Sequence, residues 1–229
     1  MQKMGIWCTK GDIRCFSKRM RTGRSTYGCV RRGGQLTKEG PFLYTGFFRD
    51  SVGVGGSFYV KGQFHEGKKT GRWVFKTHKN KKTKTLVVHY LEGRQEGAYE
   101  MKSVNRRFGI LPLRVSLHMQ MKGGKPCGPL RAKSNVGRCR GSFDTEGRPD
   151  GTWLLMTKTQ VDAKLKVNEV WEHGVLKSGE ETQRGKTRTF DSRTQIVDKI
   201  YPILRSAMSM EKVCDMGSSV VALYVPDGQ

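Results

Sequence analysis

The chain has 229 residues, 35% of them hydrophobic, with 29 glycines, only 7 prolines and a formal net charge of +23. So small an apolar share argues against one large compact core, and glycine in excess of proline favours many tight turns between short strands over long helices. The charge points to an anionic partner, whether nucleic acid, anionic lipid headgroups or an acidic protein, without choosing among them.

From the N-terminus, Met1 to Cys8 contains no apolar run suited to a signal peptide, and no later stretch approaches the length of a membrane-spanning helix. A complete chain is therefore expected in the cytoplasm, and one from which a signal peptide had been removed would be exported. Residues 1–40 are rich in Lys and Arg, with clusters at Lys18-Arg19-Met20-Arg21 and Arg31-Arg32. They read as a solvated basic segment or an edge cap. The sharper alternative is a nucleic-acid arm with Trp7, Phe16 and Tyr27 as stacking surfaces.

Residues 41–185 carry an internal repeat: a large apolar residue, a glycine, three residues, a second glycine, one residue and another large residue. The copies are Phe64 with Gly67, Gly71 and Trp73; Tyr90 with Gly93, Gly97 and Tyr99; Met121 with Gly124, Gly128 and Leu130; and Phe143 with Gly147, Gly151 and Trp153. The last has one extra residue before its first glycine, and a degenerate copy runs from Trp171 through Gly174 to Gly179. Glycine supplies positive φ where a chain reverses, and flanking large residues start two strands, so each copy reads as a hairpin. Turns are expected near Lys69, Gln95, Lys125 and Arg148. Between copies, Leu86 to Tyr90 and Val115 to Met121 alternate as strands do, with one apolar face. A lone hairpin is marginal, so the units should stack into an extended, twisted antiparallel sheet, with Trp73, Tyr99 and Trp153 packed on its apolar face.

Tyr44-Thr45-Gly46-Phe47-Phe48 and Gly62-Gln63-Phe64-His65-Glu66-Gly67-Lys68-Lys69-Thr70-Gly71 resemble the MORN pattern Y-x-G-x-[WF]-x-x-G-x-x-x-G. The resemblance covers roughly residues 40 to 180 and is strongest to bacterial MORN-like variants of the antitoxin-repeat kind. It implies a mainly β fold of consecutive hairpins and a protein-interaction scaffold. The chain departs from the pattern in its spacing, with inserts at Lys79 to Lys84 and Asn105 to Pro112.

Residues 186–229 read as a cap. Ser192-Arg193-Thr194-Gln195 resembles a capping box, and Ile196, Ile200, Leu204 and Ala207 follow at helical spacing, with Pro202 as a kink or break. Ser219 to Val225 reads as a strand. A terminal helix and strand would cover the edge and apolar face that a repeat sheet leaves open.

Six cysteines (Cys8, Cys15, Cys29, Cys127, Cys139 and Cys214) include no C-x-x-C pair and no histidine at finger spacing, which argues against zinc. Free thiols are expected in a cytoplasmic chain, and in an exported one Cys127 and Cys139, flanking one hairpin, are the first candidate disulfide. No G-x-S-x-G, H-E-x-x-H, phosphate loop or Rossmann fingerprint is present, so no enzyme, cofactor or metal is expected. His65, His78, His89, His118 and His173 read as scattered polar positions, and Asp144, Glu146 and Asp150 as an acidic turn lacking the calcium-loop spacing.

The expected function is a non-enzymatic scaffold that presents a basic sheet surface to an acidic protein or anionic surface, the alternative being a nucleic-acid or anionic-lipid binder. The candidate binding residues are Lys68, Lys69, Arg72, Lys76, Lys79, Lys81, Lys82 and Lys84, which straddle one hairpin and its following insert. Strand alternation would divide them between two faces.

Overall fold

The computed structural model describes residues 4–10, 13–20, 23–32, 35–49, 55–106, 112–158, 164–190 and 196. It is mainly β, as the repeat implies. The described residues form two compact units, one up to Arg94 and one from Gln95 onward.

The first unit holds β1 (Met4–Lys10), β2 (Ile13–Met20), β3 (Gly23–Arg32), β4 (Gln35–Arg49), β5 (Gly55–His65), β6 (Lys68–Lys79) and β7 (Lys82–Leu91). The second holds β8 (Arg94–Asn105) from Gln95 onward, β9 (Leu113–Lys122), β10 (Lys125–Ser134), β11 (Gly137–Phe143), β12 (Pro149–Lys158), β13 (Lys164–Glu172), β14 (Val175–Gln183) and β15 (Lys186–Phe190). Within each unit every strand pairs antiparallel with its neighbours in sequence. Residues 4–40, expected as a basic segment, contribute β1 to β3 and the start of β4.

Alternation assigns the faces. In the first unit Phe42, Tyr44, Phe58, Val60, Phe64, Trp73, Phe75, Leu86, Val88 and Tyr90 are buried on one face, here the packed face. In the second, Tyr99, Met101, Leu117, Met119, Leu130, Cys139, Trp153, Leu155 and Val167 occupy the corresponding positions. Residues between them in each strand point to the opposite, open face. Trp73, Tyr99 and Trp153, expected on the packed face, are each 1% exposed.

The hairpins are present, but their turns fall one to three residues before the expected centres. The chain reverses at Glu66–Gly67, Glu92–Gly93, Gly123–Gly124 and 145–147, not midway between the two glycines of each copy. Glu66 and Gly67 have φ of 52° and 77°, the paired positive values of a tight type I′ turn, whose twist matches that of the flanking strands.

The second glycine does a different job. Gly71, at φ 64°, opens a bulge: Lys61 pairs with Val74 and Gln63 with Thr70, so Gly71 to Trp73 oppose Gly62 alone. That lays the Trp73 ring on Gly62, where an added Cβ would come within 2.2 Å of it. The device recurs in the second unit: Gly151 to Trp153 bulge opposite Gly141, and a Cβ there would sit 2.1 Å from the Trp153 ring.

At the edge carrying these turns, backbone hydrogen bonds hang four of the turns on the preceding repeat, whereas Gly147 N–H donates within its own turn to Asp144 O. Gly67 N–H donates to Lys38 O and Gly93 N–H to Lys69 O, both at 2.9 Å. In the second unit Gly124 N–H donates to Gln95 O at 3.0 Å and Gly174 N–H to Pro149 O at 2.8 Å. Carboxylates reinforce the ladder. Glu39, Glu96 and Asp150 each precede a second glycine, and accept the backbone N–H of Glu66 (2.9 Å), Gly123 (2.8 Å) and His173 (3.1 Å) respectively.

Ile196 is helical and fully buried, in line with the expected C-terminal helix, while the capping box, Ile200, Pro202, Leu204, Ala207 and the strand at 219–225 lie outside the described residues. Its N–H donates at 2.9 Å to Oε1 of Glu169, a carboxylate with no exposed surface that also accepts Trp171 Nε1–H at 3.0 Å. Glu169 of β13 thus supplies the acceptors that the buried Ile196 N–H and Trp171 indole require.

Candidate functional site

The eight expected basic residues do not form one cluster. Lys68 and Lys69 lie beside the Glu66–Gly67 turn, whereas Lys79, Lys81 and Lys82 surround the Asn80–Lys81 turn at the far end of β6, roughly 30 Å away at strand rise. Alternation then separates them again. Lys68, Arg72 and Lys76 face the open side, while Lys69, Lys79, Lys82 and Lys84 share the face of Trp73 and Phe75.

On the packed face the lysines serve as edge cover. Lys69 Nζ lies 5.1, 5.6 and 5.0 Å from the ring centroids of Trp73, Phe75 and Tyr90, and Lys38 Nζ lies 4.9 Å from that of Phe64. The ring faces attract the ammonium groups while the aliphatic stems cover apolar surface. Burial holds Lys38 below the ordinary lysine range, with Lys69 adding to the depression against an opposing effect of Cys29. Burial, and then Lys82, does the same to Lys84.

The open face of the first unit retains Lys61, Arg72 and Lys76, with Lys76 Nζ 5.7 Å from the Tyr59 ring. The carboxylates described in this unit are Glu39, Glu66 and Glu92, all at the turn edge.

A denser group occupies the open face of the second unit. In the β10–β11 hairpin Arg131 pairs directly with Arg140, and Lys133 with Arg138. Such partners have Cβ atoms about 5 Å apart, and residues two apart in a strand are about 7 Å apart, so the four cations form a small square. All four are exposed. Their partners on the flanking strands are His118 and Ser116 of β9 and Leu154 and Met156 of β12. Beyond these, Lys102 pairs with Ser116 and Lys166 with Met156, extending one row to both sides. Glu100, the nearest acid on the β9 side, pairs with His118, its carboxylate 3.9 Å from Nδ1.

None of the four cations makes an ion pair with a described carboxylate. Arg138 directs Nε and Nη2 at Met156 Sδ, at 3.3 and 3.2 Å, a weak acceptor for so strong a donor. Like charges directly opposed in a sheet disfavour the fold, each pair by up to about 1 kcal/mol. The square is therefore a local liability that an anionic ligand would relieve. Sequence proximity drew attention to Lys79–Lys84 and missed it. The available signal was Arg131-Ala132-Lys133 and Arg138-Cys139-Arg140, two alternating cation pairs on either side of one short turn.

Three acids of the second unit, Asp144, Glu146 and Glu172, are engaged at the turn edge. Asp144 accepts the N–H groups of Glu146 and Arg148, each at 2.9 Å, and Arg148 Nε–H at 2.8 Å. Against desolvation, which raises its pKa, these bonds from Arg148 and Glu146 hold the carboxyl down at about 2. Glu146 and Glu172 are lowered chiefly by hydrogen bonds from Lys125 and Lys177, with N–O distances of 2.7 and 2.8 Å. The acidic turn is a structural device.

Cys127 and Cys139, the candidate disulfide, are both free thiols. Cys139 pairs with Ala132, five residues along β10 from Cys127, a separation of roughly 17 Å that no disulfide spans. Burial, with Glu169 adding, pushes the Cys139 thiol up to about 12. Among the described residues no group of three or more His, Cys, Asp and Glu side chains could hold a metal ion, and no helix is long and apolar enough to cross a membrane. Comparison of the chain with protein-family models and with curated proteins finds no match.

Proposed function

We propose that this chain is a non-enzymatic, MORN-like hairpin-repeat protein that binds an acidic protein partner through the open face of its sheet. The observation that carries the reading is the square of Arg131, Lys133, Arg138 and Arg140, four exposed cations in direct cross-strand register with no described carboxylate paired to them. The sheet holds the backbone of the four groups in register, so binding an anion has only their side chains left to order, at roughly 0.5–1.5 kcal/mol each. The resemblance of the glycine spacing to MORN repeats supports a scaffold role in the same direction.

A nucleic-acid or anionic-lipid partner rests on the net charge of +23 and on the basic clusters of residues 1–40 with Trp7, Phe16 and Tyr27 among them. Binding of single strands gains much of its energy from bases stacked on aromatic rings, and the residues beside the square are Ser116, His118, Leu154 and Met156, of which only His118 carries a ring. Titration with polyglutamate and with single-stranded DNA, at low and moderate salt, distinguishes the two. The expected result is salt-sensitive polyglutamate binding that is lost when Arg131, Lys133, Arg138 and Arg140 become glutamate and retained when Lys79, Lys81, Lys82 and Lys84 do. Retention by the first variant, or preference for DNA, overturns the reading.

A further inference from the structure

Beside the square, at the edge bearing the Asn135–Val136 turn, lies a hollow of about 300 Å³ lined by Val136, Gly137, Met156 and Leu165, with Lys133, Arg138 and Lys166 on its rim. Its volume falls at the lower end of the range for small-ligand sites, roughly 300–1,000 Å³. Three features give it a direction. The rim residues with charge are all cations. Val136, at the tip of a tight turn, is 53% exposed although apolar. Among the described residues Arg138, which belongs to both the square and the rim, has only the Met156 thioether as side-chain acceptor, which leaves it open to a carboxylate.

We infer that the partner is an acidic segment carrying one large apolar side chain, which enters this hollow while its neighbouring carboxylates engage Lys133 and Arg138 and, farther from the turn, Arg131 and Arg140. This rests on the acidic-partner reading and adds its recognition element. The cations extend from Lys102 to Lys166 across six strands, β8 to β13, far more than a single carboxylate could neutralise, so a chain of acids fits the surface better than a lone small amphiphile. A buried apolar anchor ringed by charge is also how interfaces concentrate their binding energy.

Neighbouring groups hold the hollow open. Asn135 accepts the Arg114 N–H at 2.8 Å and donates Nδ2–H to Pro112 O at 2.9 Å, which ties the turn to the strand before it. Ser134 Oγ accepts the Val136 N–H at 3.2 Å. A Cβ on Gly137 would come within 2.6 Å of Met156 O, so glycine there lets β11 approach β12 under the hollow.

The test uses the intact protein and two fluorescent glutamate-rich peptides, identical except for leucine or glycine at the centre. Leucine should tighten binding roughly tenfold at fixed salt, the effect of burying most of one such side chain. Val136→Asn should abolish that difference and leave the glycine peptide unchanged, since the turn residue is exposed and no charge is altered. Arg138→Gln should weaken both peptides. Equal binding of the two peptides to the unaltered protein would overturn the anchor while leaving the acidic-partner reading in place. Binding of neither would overturn both.

Discussion

The β5–β6 repeat of the first unit and the β11–β12 repeat of the second use the same device, a tryptophan laid on a glycine of the preceding strand. They differ in what surrounds it. Trp73 has ring centroids of Phe42, Phe64, Phe75 and Tyr90 within 5.1 to 6.1 Å, and its Nε1–H donates to Gln63 O at 3.1 Å and Thr70 O at 3.2 Å. Trp153 packs edge-on against Phe143 at 5.2 Å, and its buried Nε1 finds no partner among the described residues. The turns differ as well. Phe64 leads into a tight two-residue reversal, whereas Phe143 leads into a longer one that Asp144 holds together. The repeat therefore dictates the socket, while the strength of each copy depends on its neighbours.

The largest expected effect breaks that comparison at the tryptophans. Trp73→Ala and Trp153→Ala should each cost about 3 to 5 kcal/mol, as loss of a fully buried aromatic does, with Trp73 at the upper end. Substitution by phenylalanine sharpens the contrast. Trp73→Phe leaves carbonyls that have lost a donor, whereas Trp153→Phe removes an unpaired N–H, so the first should be the more destabilising by about 1 kcal/mol in urea unfolding. Equal midpoints would show that the two sockets are energetically alike.

An intermediate effect lies on the open face. Around the first copy Lys61 stands opposite Val74, but beside the second the cations of β10 and β11 stand opposite one another. Lys133→Gln with Arg138→Gln should therefore raise stability, by up to about 1 kcal/mol, while weakening binding of an acidic ligand. Lys61→Gln should leave stability within about 0.5 kcal/mol of the unaltered protein, as surface changes usually do. A loss of stability in the double variant would remove the argument that the square is a liability kept for binding.

The smallest effect concerns the longer turn. Asp144 titrates at about 2 in the folded chain against 3.8 for the free side chain. Its folded value is depressed, so its contribution is complete above the unfolded value and is lost as pH falls through about 2. Acid unfolding of Asp144→Asn should accordingly lack that part of the decline below pH 4. Unchanged acid profiles would indicate that Asp144 does not hold the turn.

The paired glycines declared the hairpins, and alternation declared which side chains share a face, because a turn and a period of two are local properties of the backbone. Trp73, Tyr99 and Trp153 were legible as packing residues on that basis, and so was the division of Lys68 to Lys84 between faces. The function of the second glycine was not legible. Positive φ suits a turn and a bulge equally, and only the pairing of Gly62 against Gly71 to Trp73 shows which was used. The cation square lay hidden for a related reason. Arg131 and Arg140 are nine positions apart in the chain, and only the cross-strand register opposes them, with Lys133 against Arg138. Glu169 likewise reads as an ordinary strand acid until the helical Ile196 N–H is brought to it. Local sequence determined where this chain turns and which way each side chain points. Tertiary register decided which charges meet, because electrostatic interaction depends on distance in space, and distance between strands is set by pairing.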